Sequence, residues 1–317
     1  MRPTVSIRPA APPSSDSLPL SALRLRRSLA WPVGQAEAIL SPAVEAPETG
    51  ATLQISGAAD GDQARPLFTG RLLRRQTGLW GSRLLVEEAT GPLARLHLDK
   101  AVRNATAAKL MQELCQEAGV QATVEPPGAT LPAYALQWGP SAMDHIIRLA
   151  RMSGQLVRTD AEGRLHVETA LPAPAATLRR DEAVIEYQRN DRSDEADDVR
   201  VTGEGAMGSK GPGAETWLLQ SLDAVAAGEG RRTHHLAGLK TAADVTRAAT
   251  ALAMQQKERA VERRILLAGL PPVDLGQVVL LTGFGPAPEP ARLAAVTISW
   301  DVQNGLLSRL ELHGIGG

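Results

Sequence analysis

Residues 134–154 read YALQWGPSAMDHIIRLARMSG. A helix start, an apolar face and a helix stop lie together in this stretch. Ser141 can accept from a backbone N–H three residues on, where Asp144 occupies the second position of a capping box, although Glu is the usual partner there. Ile146, Ile147 and Ala150 share one face, and Gly154 supplies the left-handed stop. A helix is expected over 141–153. Two short strands at 155–159 and 164–169 follow, joined by a turn from Asp160 to Gly163.

Working upstream, Thr106 can cap a helix running to Ala118, closed by Gly119. Ala107, Leu110, Met111, Leu114 and Ala118 form its apolar stripe, and Cys115 sits beside it as a packing residue. Residues 99–172 therefore read as a small α+β domain. Before it, Leu23 and Leu25 alternate with Arg24 and Arg26. Further strand-like pieces follow at 51–56, 67–75, 82–87 and 94–98, divided by turn signals at Gly57, Asp60-Gly61, Thr77-Gly78 and Thr90-Gly91. Short strands at this spacing predict an all-β barrel or sandwich over 1–98, entered through a Pro/Ser/Ala-rich arm.

Downstream, two prolines mark a linker over 171–178. Strands are predicted at 183–188 and 199–202, then a glycine-rich loop over 203–213. Thr241 caps a long helix over 242–263, with Val245, Ala248, Ala249 and Leu252 on one face. A β-meander closes the chain, with strands near 264–268, 277–282, 292–300 and 306–313. Asn304-Gly305 reads as a hairpin turn. The expected domains are 1–98, 99–172 and 173–317.

Composition bounds the function. Aromatics are 3% of the 317 residues, too few for a surface that stacks on sugars or bases. The net charge of −1 argues against a sequence-independent DNA binder, which needs a concentrated basic face. Most cations are Arg, with five Lys, as a GC-rich genome or an arginine-rich subunit interface would produce. One cysteine excludes an internal disulfide and a cysteine-based zinc site. No signal peptide and no apolar run long enough for a membrane span is read, so assembly in the host cytoplasm is expected.

No chemistry stands out. His234-His235 is the only histidine pair, and neighbours on a strand point to opposite sides. The acidic run of Asp191, Asp194, Glu195, Asp197 and Asp198 lacks calcium-loop spacing and reads as a solvated loop. Gly203-Glu204-Gly205 lacks the Lys-Ser/Thr of a phosphate loop. No nucleophile elbow is present, and no pair of carboxylates is singled out for glycoside hydrolysis. No catalytic residue, cofactor or metal ligand is assigned.

The order of segments carries a resemblance. Gln137, Ser141, Arg148-Leu149-Ala150 and Gly154 match a pattern of the phage late control gene D family of tail baseplate hub proteins, itself similar to the hub portion of type VI secretion spike proteins. The match departs at His145 and Ile146, where that family often has an aromatic. The hairpin with Gly163 and Leu165 fits as well. Leu67-Phe68-Thr69-Gly70 resembles a strand near the end of the family's first barrel, and 106–119 its following helix. Residues 241–313 resemble its closing section, with a strand ending at Gly269 and a Pro-x-x-x-x-Gly step to Gly276. The resemblance spans about 20–313.

The resemblance implies an α+β chain with two β-barrel-like tube domains, an intervening small α+β domain and a long helix before the C-terminal meander. It further implies a non-enzymatic structural subunit of a homotrimeric ring at the virion tail tip. Its partners would be the tail tube protein, the central spike, baseplate wedge components and a tape-measure protein. DNA would pass only as cargo. The competing readings are a tail-associated peptidoglycan hydrolase and a carbohydrate-binding adsorption protein.

Overall fold

The computed structural model describes residues 4–10, 17–58, 63–79, 81–126, 128–169, 173–192, 199–206, 219–227, 232–236 and 239–315. The first part of the chain forms β1 (Thr4–Pro9), β2 (Leu20–Ser28), β3 (Gln35–Leu40), β4 (Thr52–Ala58), β5 (Arg65–Gly78) and β6 (Gly81–Glu88). The middle part forms α1 (Gly91–Arg95), β7 (Lys100–Thr106), α2 (Ala107–Glu117), β8 (Ala122–Val124), β9 (Thr130–Leu136), α3 (Ala142–Ser153), β10 (Leu156–Thr159) and β11 (Leu165–Glu168). The last part forms β12 (Pro174–Arg179), β13 (Val184–Asp191), β14 (Val199–Ala206), β15 (Leu219–Ala227), β16 (Arg232–His235), α4 (Ala242–Ala260), β17 (Val261–Ala268), β18 (Val278–Thr282), β19 (Glu289–Asp301) and β20 (Gly305–Gly314).

Strands from the two ends of the chain make one 12-stranded sheet, in the order β1-β4-β5-β6-β3-β2-β19-β20-β17-β13, with β18 and β12 branching from β19. The expectation of two β-barrel-like domains is therefore overturned: the fold is α+β, but the sheet is extended and open. A competition for one strand edge explains why. A strand has two hydrogen-bonding edges. β2 gives one to β3. The other, which a closed first barrel would require, is taken by β19, from Ala22 opposite Asp301 to Ser28 opposite Ala295. Among the described residues, β1 meets the chain ahead of β2 at the isolated bridge between Ile7 and Leu18.

Alternation places Leu23, Leu25, Leu84 and Val86 on the same side as Val296, Ile298, Leu310 and Leu312, and all join one buried cluster around Phe68. Each such side chain contributes about 1.5–3 kcal/mol on burial. A second core joins Leu110, Met111 and Leu114 of α2 to Ile146 and Leu149 of α3 and to Val157 and Val167 of the hairpin. Val245, Ala248 and Leu252 of α4, with Val199 and Val201 of β14, complete it. The long helix thus packs on the middle segment. Three small sheets, β10-β11-β8, β15-β14-β16 and β7-β9, lie outside the large one.

Several local expectations change. The closing strands are not a meander, because β17 pairs with β20 rather than β18, leaving the order β17-β20-β19-β18. Residues 94–98 are not a strand: Pro92 enters at the start of α1, which ends at Arg95. Part of the expected linker is β12, which pairs in parallel with β18. The helix predicted over 242–263 ends at Ala260, since Val261 and its successors pair with β13 and β20. Gly203 lies in β14, where an added Cβ would crowd Val245 of α4 at 2.7 Å; it is there for close packing, and 207–213 lie outside the described residues. At the last hairpin only Gly305 takes a positive φ, and the Asp301 carboxylate accepts from the Gln303 and Asn304 amides at 2.8 and 2.6 Å. β3, β7 and β9 had not been singled out.

Candidate functional site

The site is built around α3 and the joint between its hairpin and the large sheet. Ser141 caps α3 as a full capping box: its hydroxyl accepts from the Asp144 amide at 3.2 Å, and its own amide donates to the Asp144 carboxylate at 2.9 Å. The hydrogen bond from the Ser141 hydroxyl holds the Asp144 carboxyl below its ordinary value. Leu149 and Ala150 are buried, whereas Gln137 and Arg148 are exposed. Gly154 closes the helix at φ 72° and meets α4, where an added Cβ would stand 3.0 Å from the Ala251 Cβ. Beneath the cap, the Tyr134 hydroxyl and His145 Nδ1 are 3.0 Å apart. Burial, aided by the Arg148 charge, lowers the His145 pKa; burial raises that of Tyr134.

At the joint, Gly163 and Gly276 each mark a close approach between different parts of the chain, and Gly70 one between β5 and β6. Gly163, at φ 86°, lies so close to the sheet that an added Cβ would be 2.7 Å from the Ala89 Cβ and 3.2 Å from the Thr69 carbonyl. Thr69 donates to the Ala161 carbonyl at 3.0 Å, and Gly70 packs against the Glu87 backbone. A Cβ on Gly276 would meet the Arg158 side chain of β10 at 2.7 Å. Gly269 directly follows β17, and its carbonyl accepts from Ser308 at 2.6 Å.

Arg27 occupies the centre of the joint and is 3% exposed. Its Nε meets Glu88 at 2.9 Å and its Nη1 meets Asp274 at 2.6 Å, while Nη2 donates to the Thr159 carbonyl. Glu88 also accepts from the Gly34 amide at 2.6 Å, and Thr90 and Thr159 both donate to the Pro32 carbonyl at 2.9 Å. Burial opposes the charge of Arg27, but Glu88 and Asp274 hold its pKa above the ordinary value. Burial pushes Glu88 up against the pull of Arg27. One guanidinium thus ties together the first, middle and last parts of the chain. Sequence reading had missed this cluster. Its signal was phase: Arg27 continues the apolar series of Leu23 and Leu25, and Glu88 that of Leu84 and Val86, so each places a charge on a core-facing position.

Among the described residues, no group of three or more His, Cys, Asp or Glu is placed to hold a metal ion, and no helix is long and apolar enough to cross a membrane. Burial pushes the Cys115 thiol up to about 12, which removes its nucleophilicity. His234 and His235 take different partners, Gln256 at 3.3 Å and Thr202 at 3.0 Å. Asp191 pairs with Arg189, and the remaining acidic residues of that run, at 194–198, lie outside the described residues.

Residues 94–169 match a family model described as the second domain of gp44-like baseplate hub proteins. The chain is similar to phage tail baseplate hub proteins and type VI secretion spike proteins. A 43 kDa tail protein of prophage MuSo2 from Shewanella oneidensis shares its fold with a TM-score of 0.70 and 14% identity, over 98% of both chains. A tail protein from Neisseria meningitidis MC58 does so with a TM-score of 0.71 and 15% identity, over 99% of this chain and 97% of that one. The c3393 protein of E. coli, a component of the type VI secretion system, follows with a TM-score of 0.62 and 12% identity, over 99% of this chain and 77% of that one. No curated protein matches by sequence. The chain thus shares its fold with these tail proteins along nearly its whole length, while its family match covers the segment that holds α3 and the hairpin.

Proposed function

We propose that this chain is a non-enzymatic structural subunit of a baseplate hub in a phage-like tail. It forms a homotrimeric ring that joins the tail tube to the central spike and surrounds the channel through which DNA or other cargo leaves. The observation that carries this reading is likeness over nearly the full length of both chains to two tail proteins, reinforced by the hub-family match at 94–169. Tube protein, spike, baseplate wedge and tape-measure protein are its expected neighbours. The joint suits the role. A hub transmits load between a tube and a spike, and a buried guanidinium tying three parts of one chain resists their separation.

Electron microscopy of tails carrying a tagged copy of the chain tests the reading. The tag is expected at the tail tip, in three copies between tube and spike. Tails of normal composition that lack the chain would refute it.

A further inference from the structure

The side of the large sheet away from its core carries a basic surface assembled from both ends of the chain. Cross-strand partners share a face of a sheet. Arg26 opposes Thr297, which opposes Arg309. Arg24 opposes Glu37, Glu37 opposes Leu85, and Leu85 opposes Arg74. Arg24 and Arg26 are two residues apart on β2, so all four arginines project to one side. All four are exposed.

The carboxylates on these rows are mostly engaged elsewhere. Glu37 pairs with Arg83, Glu87 with Arg95, and Glu311 with His313. Glu262 of β17 pairs with Arg192 and Arg264. Asp301, in phase with Ser299 opposite Arg24, accepts hydrogen bonds from the Gln303 and Asn304 amides of its own turn. Glu186, on the margin strand β13, lies two strands from Arg309. Arg24, Arg26, Arg74 and Arg309 form no ion pair or hydrogen bond among the described residues. Arg26 and Arg309 stand two strand spacings apart, about 10 Å, and Arg24 lies about 7 Å along β2 from Arg26. These are distances over which neighbouring phosphates of one nucleic-acid backbone can be met. No Phe, Tyr or Trp projects from this side of β2, β3, β6, β19 or β20. Trp31, 41% exposed, borders the face beside Arg26, Gln35 and Thr297 and is an aromatic platform at its edge, and stacking on it would be sequence-tolerant.

We infer that this open sheet face contacts duplex DNA through its phosphates, weakly and without regard to sequence. A hub provides the occasion for meeting DNA, so the inference rests on that reading. The binding itself belongs to the sheet face and is measured without a tail. The overall charge of −1 conceals the surface, because its arginines are distant in sequence.

Fluorescence anisotropy of the full-length protein with labelled duplex DNA, titrated at several salt concentrations, tests this. Four phosphate contacts give a log–log slope near −3.6, and affinity about 150-fold weaker at 200 mM than at 50 mM salt. R26S/R309S is expected to reduce the slope by about 1.8, and the corresponding Lys pair to restore it, because a phosphate contact needs the charge rather than the fork. Unchanged melting of both variants would exclude a folding defect. Absence of binding at low salt, or a slope unmoved in R26S/R309S, would overturn the inference. Equal competition by polyglutamate of matched charge would also overturn it, by assigning the face to an acidic protein surface. A chain that binds DNA in this way but forms no trimer would separate failure of the hub reading from success of this one.

Discussion

The segment around α3 and the large sheet around β2 are held by contacts of opposite range. Ser141 and Asp144, which cap α3, are three residues apart, and its apolar face packs on α2 and the hairpin of the same segment as well as on the more distant α4. Arg27 of β2 is held by Glu88 and Asp274, 61 and 247 residues away, and β2 shares its register with β19 from the far end of the chain. The start and stop of α3 are thus specified by local chemistry, and the sheet by a closing event that needs both chain ends. A fold with this division should lose stability most where the distant parts are tied, and least where a contact is local or exposed.

The largest expected effect is at the tie. Arg27→Met leaves Glu88 and Asp274 without their partner and should cost about 3–5 kcal/mol, read from urea denaturation. A loss below 1 kcal/mol would mean that the joint is not held by this charge. Next is Gly163→Val, which adds bulk at φ 86° against Ala89 and Thr69. A cost of about 1–3 kcal/mol is expected, with faster proteolysis of the hairpin if it lifts from the sheet. Ser141→Ala should cost about 1 kcal/mol through loss of the cap, with Ser141→Thr close to wild type. Glu37→Gln, which removes an exposed pair with Arg83, should change stability by no more than about 1 kcal/mol.

Acid sharpens the same contrast. Burial holds the His145 imidazole below its ordinary value of 6.5, so the unfolded chain takes up a proton first as pH falls. Its contribution is full above 6.5 and declines below it. Asp144, also held below its ordinary value of 3.8, contributes above that pH and loses its effect as the carboxyl protonates at lower pH. Comparing wild type with His145→Gln across pH 5–8 should show the first decline only in wild type.

Local range also explains what could be read from the chain beforehand. The Thr106, Ser141 and Thr241 caps were legible, because a cap is a relation among four neighbouring residues. So was the alternation of Leu23 with Leu25, and of Val296 with Ile298. What alternation does not encode is the strand on the next edge. That is why the strands over 1–98 predict a barrel or sandwich of their own, the second barrel being what the resemblance implies, and the last strands a meander, whereas both chain ends share one open sheet in which β17 pairs with β20. Arg27 and Glu88 were visible as charges on an apolar phase, but neither names its partner. Gly70, Gly163 and Gly276 belong to a family pattern; what each packs against is apparent only in three dimensions. The basic sheet face was hidden for the same reason, since net charge sums over the chain and not over a surface.

The hub reading is most directly tested by native mass spectrometry of the full-length chain across micromolar concentrations. A closed trimer of 33.5 kDa subunits is expected. A species that remains monomeric throughout, and stays so when tube and spike proteins are added, would contradict it.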